Sequence, residues 1–199
     1  MLNFYLSANK TGKFNKLSHT KTEDVINQTV DFTKRDTVSI SDTRNIYSDS
    51  LDTEGVVSFV SDRLKNDIVI TGQFAANLMA SINKKDMDVV ISVKVQQPYG
   101  KYFYLSSAMQ RASYSKKRER RQLLMPGVKE NIPVTGTFVS RRITKGSRII
   151  VQIGVSKNAY LQINYGTGKD VATETIADAK QPLQIKWYGS SLIQIPVAN

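Results

Sequence analysis

Beyond about residue 56, apolar side chains recur at every second position through most of the chain. In "DVVISVKVQ", Val89, Ile91, Val93 and Val95 fall on one side, and Ser92, Lys94 and Gln96 on the other, which is the period of an extended strand. "RIIVQIGV" repeats the pattern with Ile149, Val151, Ile153 and Val155. "PLQIKWYG" does so with Leu183, Ile185 and Trp187, and "SLIQIPVAN" with Ile193, Ile195 and Val197. Strands of this kind read as members of antiparallel sheets, one face buried and one face wet. Between them stand "INKKDMD", "QQPYGKY", "LMPGVKENIP", "RRITKGS" and "NYGTGKD", all rich in turn-forming residues. Helical periodicity is nearly absent; the best candidate is a short turn from Thr173 to Ala179. Many short strands with Gly and Pro turns predict an all-β fold, and a jelly-roll β-sandwich, of the galactose-binding-domain-like kind, suits the spacing.

The first 55 residues differ. After an expected strand at Leu2 to Leu6, residues 7–55 are polar and show no sustained period, so they read as a long connection wrapping the sandwich. No internal repeat or low-complexity tract divides the chain, and residues 1–199 read as a single domain.

Composition narrows the chemistry. The chain has 199 residues, of which 40% are hydrophobic, enough to form a proper core. No apolar run approaches the roughly 20 residues that span a bilayer, which argues against a membrane partner. The opening "MLNFYLSANK" lacks the basic start and small-residue cleavage site of a signal peptide, and a chain that begins directly in a strand reads as a piece of something longer. There is no cysteine and one histidine, His19, so zinc sites built from several Cys or His ligands are excluded and no cofactor is implied.

Candidate catalytic motifs fail on inspection. No G-x-S-x-G elbow occurs, and His19 sits in a polar stretch that reads as solvated surface. The turn "GTGKD" would need glycine at position 163 and Ser or Thr at 170 to be a phosphate-binding loop, where Ile163 and Asp170 stand instead. Asp86 and Asp88 could act as an acid–base pair or hold Ca²⁺, but without a third nearby acid they read as turn-capping carboxylates. Tyr99, Tyr102, Tyr104, Tyr160 and Tyr165 are candidates for a sugar-binding face, although Tyr102 and Tyr104 alternate with Phe103 and Leu105, so one of those pairs must face the core.

Basic residues outnumber acidic ones by 28 to 17, giving a formal net charge of +11. They concentrate in "RASYSKKRERRQLLMPG", where Lys116, Lys117, Arg118, Arg120 and Arg121 surround a single Glu119. Positive charge alone favours any anionic surface. Specific nucleic-acid recognition would need base-reading side chains in an ordered array, and the run contains none.

The order of these motifs carries a resemblance. The segment from Leu64 to Tyr114 resembles the C-terminal domain shared by X-Pro dipeptidyl-peptidases, cocaine esterase, α-amino acid ester hydrolases and glutaryl acylases. The matching pieces are Asp67 with the I-x-G at Gly72, the D-x-D at Asp86 and Asp88, the P-x-G turn at Pro98 and Gly100, Arg111 before Ala112, and the turn at Pro126 and Gly127. Gly146 and Arg148 in "KGSRIIVQI" and Asn164 in "INYGTGKD" continue the likeness toward Val197. Tyr99 stands where the family pattern has aspartate, and Ser147 where it has histidine.

The resemblance implies a non-catalytic jelly roll whose motif positions are structural. It also implies a partner, an α/β-hydrolase catalytic domain of the same polypeptide that carries the serine triad and is absent from this chain. In such enzymes the domain packs on that partner, helps shape the active-site entrance and in some cases joins oligomer contacts. The basic run then has two readings, a solvated loop or a dock for the catalytic domain. A free-standing carbohydrate- or polymer-binding sandwich is the alternative.

Overall fold

The computed structural model describes residues 1–33, 35 and 46–198. Its strands are β1 (Leu2–Thr11), β2 (Phe14–Ser18), β3 (Val25–Val30), β4 (Tyr47–Ser48), β5 (Val56–Val60) and β6 (Ile68–Ile82). They continue as β7 (Asp88–Gln96), β8 (Tyr102–Arg111), β9 (Glu130–Ile143), β10 (Arg148–Val155), β11 (Leu183–Tyr188) and β12 (Leu192–Ile195). The helical candidate resolves into a 3₁₀ turn at Val171–Thr173 and one short helix, α1 (Ile176–Ala179), whose Asp178 carboxylate accepts from the Thr175 N–H and hydroxyl.

Hydrogen bonds link the strands in the order β3-β11-β6-β12-β1-β2-β5-β10-β7-β8-β4, with β9 on the other side of β6. The pairs are antiparallel except β2 with β5. The β1–β2 ladder breaks register between Leu6 and Lys10, an irregularity of the kind that bends a strand and turns a sheet. Leu78, Ile185, Trp187 and Ile193 from β6, β11 and β12 share one core cluster with Ile91, Val93, Ile149 and Ile153 from β7 and β10. The expected all-β sandwich is the architecture found.

The period-two readings hold for the inward faces. Val89, Ile91, Val93 and Val95 are buried, as are Ile149, Val151, Ile153, Leu183, Ile185, Trp187, Ile193 and Ile195. The outward face of β7 and β10 corrects the expectation of a wet side: Val90, Ser92, Ile150 and Gln152 are buried as well. Residues from the stretch expected as a bare connection cover them. Leu51 and Phe14 pack with Val60 and Ile150 in a second cluster, and Gln152 donates to the Asp52 carbonyl at 2.6 Å and the Ser58 hydroxyl at 3.0 Å.

That stretch, 7–55, is corrected in a second way. The first strand runs on to Thr11, and β2, β3 and β4 all lie within it. In β3, the inward Gln28 interrupts the apolar alternation between the buried Ile26 and Val30. Its side-chain oxygen accepts the Trp187 indole N–H at 2.8 Å and its amide donates to the Gly55 carbonyl at 2.8 Å, so a polar residue occupies an inward position without loss.

The long β6–β9 ladder breaks register between Gln73 and Ala75, where the buried Phe74 turns inward. Gly136 stands opposite. A Cβ there would lie 2.0 Å from the Phe74 ring, so only glycine leaves room for it.

Candidate functional site

Asp86 and Asp88 enter β7 as the centre of a buried polar network. The fully buried Asp86 carboxylate accepts from Met87 N–H at 2.9 Å, Ser113 N–H at 3.0 Å and the Ser113 hydroxyl at 2.6 Å. Asp88 receives the Arg111 guanidinium as a fork, Nε at 2.8 Å and Nη2 at 2.9 Å, and the Asn164 amide at 3.0 Å. Paired geometry of this kind uses both carboxylate oxygens and adds direction to the charge attraction. The Asp88 hydrogen bond raises the Arg111 pKa further above its already high value. Among the described residues no group of three or more acidic or histidine side chains is placed to hold a metal ion.

The five candidate cations of the basic run separate into two kinds. Arg121 points inward: its Nη2 meets the Asp86 carboxylate at 3.1 Å, and its Nη1 donates to the carbonyls of Lys169 at 2.6 Å and Gly168 at 3.2 Å. It therefore clamps the "GTGKD" turn onto the start of β7. Lys116 is held by Glu130 at 2.7 Å, and Glu130 also accepts the Met125 N–H at 3.0 Å. Burial tends to raise the Glu130 pKa, but the Lys116 ammonium and the Met125 N–H outweigh it and leave the carboxyl below its ordinary range. Lys117, Arg118 and Arg120 are exposed and have no carboxylate partner among the described residues.

The loop around them is pinned from within. Gln122 N–H donates to the Ser113 carbonyl at 2.7 Å, Leu124 N–H to Lys85 at 2.8 Å, and Gly127 N–H to Ile82 at 2.7 Å. Leu124 is buried, while Leu123, Met125 and Val128 face outward. The segment from Gln122 to Gly127 is thus pinned, and the loop presents three cations and three apolar side chains to solvent.

Asn164 and Arg111 join this network, and the Asn164 side-chain oxygen accepts the Gly166 N–H at 3.0 Å. Gly166 has φ +78° with the Asp86 carbonyl 2.7 Å from where a Cβ would stand, a place only glycine fills without strain. The remaining motif positions lie elsewhere. Asp67 accepts Lys145 N–H at 2.8 Å and Arg142 Nη2 at 2.6 Å, contacts that lower its pKa in that order. Gly72 passes against Pro196, and Pro126 with Gly127 forms the turn between Met125 and Val128. Pro98 and Gly100 form the turn between Gln97 and Lys101, with Gly146 against the Pro98 ring and Arg148 paired with Gln96.

The tyrosines do not form one face. Tyr165 is buried and Tyr102 and Tyr104 are half-buried, whereas the exposed Tyr99 and Tyr160 lie beyond opposite ends of β7. The exposed His19 rests against the ring of Phe4, with centroids 5.1 Å apart. The inward role of Arg121 escaped sequence reasoning because Asp86 is 35 residues away. The one available signal is that Arg121 stands two residues before the loop's apolar "LL" pair, with only Gln122 between.

Comparison with known proteins gives a consistent pattern. The family model for the X-Pro dipeptidyl-peptidase C-terminal non-catalytic domain matches residues 2–185. Among solved structures, an α-amino acid ester hydrolase matches with a TM-score of 0.84 and 20% identity, over 99% of this chain and 36% of its own. An aminopeptidase from a marine sediment Thaumarchaeota archaeon matches with a TM-score of 0.81 and 16% identity over the same shares. A CocE/NonD family hydrolase from Staphylococcus aureus matches with a TM-score of 0.65 and 16% identity, again over 99% and 36%. The chain thus spans about a third of the length of these proteins. No curated protein matches it.

Proposed function

The chain belongs to the X-Pro dipeptidyl-peptidase C-terminal non-catalytic domain family, and from that premise we propose that it is the accessory domain of a serine hydrolase acting on acyl, ester or X-Pro peptide bonds. It packs on an α/β-hydrolase catalytic domain of the same polypeptide and forms part of the rim of its active site. The family match says which kind of domain this is; the loop at 116–129 supports where it docks. Lys117, Arg118 and Arg120 are exposed, and so are Leu123, Met125 and Val128 after them, where inward hydrogen bonds at Gln122, Leu124 and Gly127 pin the backbone. A surface half charged and half apolar, its apolar half pinned before contact, suits an interface between domains, which is more polar than a permanent subunit interface.

The test uses the full-length parent hydrolase. Reversing the three exposed cations together (Lys117→Glu, Arg118→Glu, Arg120→Glu) is expected to lower its thermal midpoint and raise KM for bulky substrates, with kcat for small ones little changed. If midpoint and KM both match the unaltered enzyme, the loop does not dock.

A further inference from the structure

A second group of unpaired positive charge, apart from the basic run, lies at the far end of β7, where the fold gathers residues distant in sequence. Arg63 donates to the Gly146 carbonyl at 2.7 Å, and the neighbouring Leu64 exchanges backbone hydrogen bonds with Gly146 and Ser147. Strand β9 brings Arg141 and Arg142 alongside, and Lys145 follows in the next turn. Asp67 engages Arg142, Asp62 engages Lys16 and Asp49 engages Lys101. Among the described residues this leaves the side chains of Arg63, Lys65, Arg141 and Lys145 with no ion-pair partner.

Arg141 has a setting that a solvated arginine lacks. Its guanidinium lies 4.4 Å from the centroid of the Phe103 ring, and its Nη2 donates to the Tyr47 hydroxyl at 2.8 Å. Tyr47 in turn meets Phe103 edge-on, with centroids 4.9 Å apart. Stacking and one hydrogen bond fix the plane of the guanidinium while most of its N–H donors stay unused. Arg141 lines a pocket of about 270 Å³, whose walls also include Tyr99, Gln97, Thr144 and Ser147. An oriented guanidinium, the Gln97 amide and an exposed aromatic ring, beside the mutually hydrogen-bonded Thr144 and Ser147 hydroxyls, make a site for a planar anion rather than a general attraction for negative charge.

We propose that this pocket binds the carboxylate or phosphate group of a small organic anion, with Arg141 as its forked ligand and Tyr99 as the surface against which the rest of the molecule lies. The surrounding cations raise the local concentration of anions, and Arg141 selects among them by geometry. The residues of the site all lie outside the loop at 116–129.

Titration of the full chain with benzoate and with inorganic phosphate, followed by backbone amide NMR, tests this. Saturable shifts are expected at Gln97, Tyr99 and Thr144 for at least one probe, and the stronger probe identifies the anion. Arg141→Gln is expected to weaken that binding by about tenfold or more, the loss of hydrogen bonds to a charged partner. Arg141→Lys keeps the charge and is expected to recover only part of it. Chloride at equal ionic strength serves as the control. The proposal is overturned if neither probe saturates, if chloride gives the same shifts, or if Arg141→Lys binds as well as the unaltered chain. A thermal midpoint measured for each variant separates lost binding from lost folding, since Arg141 is exposed and its replacement leaves the core intact.

Discussion

The half-buried Arg121 turns inward and sets its guanidinium on the fully buried carboxylate of Asp86 at 3.1 Å. One residue of a conspicuous basic run is therefore part of the framework. Removing one member of a buried pair strands the other, which costs more than the pair contributes over an apolar substitute.

Arg121→Ala should therefore destabilise the domain by about 3 kcal/mol, whereas Arg118→Ala, on the exposed side of the same loop, should stay within about 0.5 kcal/mol of the parent. Urea denaturation of the two variants checks the contrast. Equal midpoints for both would mean that Arg121 is as solvated as its neighbours.

Gly136→Ala places a methyl group where the Phe74 ring already stands. Overpacking of this kind should cost about 1–3 kcal/mol, and Phe74→Leu in the same chain should recover part of the loss. A double-mutant cycle from denaturation curves checks it, because two residues in contact should not act additively.

Acid sensitivity follows from the depressed carboxyls of Glu130 and Asp67. Their folded pKa values lie below the unfolded ones, so their stabilisation is complete above the ordinary carboxylate range. It is lost as pH falls through the lower folded values. Glu130→Gln should flatten the acid limb of stability against pH while leaving a smaller difference between pH 5 and 4. Thermal midpoints from pH 6 down to pH 2 check the slope.

Much of the fold was legible because its inner strands bury strictly alternating apolar residues. Strands β7, β10, β11 and β12 were read in place, with the correct side facing in. What escaped were elements whose inward positions hold polar or isolated residues. Gln28 breaks the alternation of β3 because Trp187 satisfies it from another strand. Leu51 and Phe14 cover the outer face of β10 as single apolar residues, and a lone residue has no period. The charge run was visible at once, but its division into held and free cations was not, since Asp86 and Glu130 reach it only through tertiary structure. The pocket around Arg141 was hidden for the same reason: Tyr47, Phe103 and Arg141 meet only when β4, β8 and β9 come together.

Docking through the loop at 116–129 is tested most directly by amide hydrogen exchange, compared between this chain alone and the full-length parent hydrolase. Slower exchange across Lys117 to Arg120 and at Leu123, Met125 and Val128 in the parent, with Leu124 and Gly127 already slow in both, is the expected result. Identical exchange throughout the loop in the two proteins would contradict it.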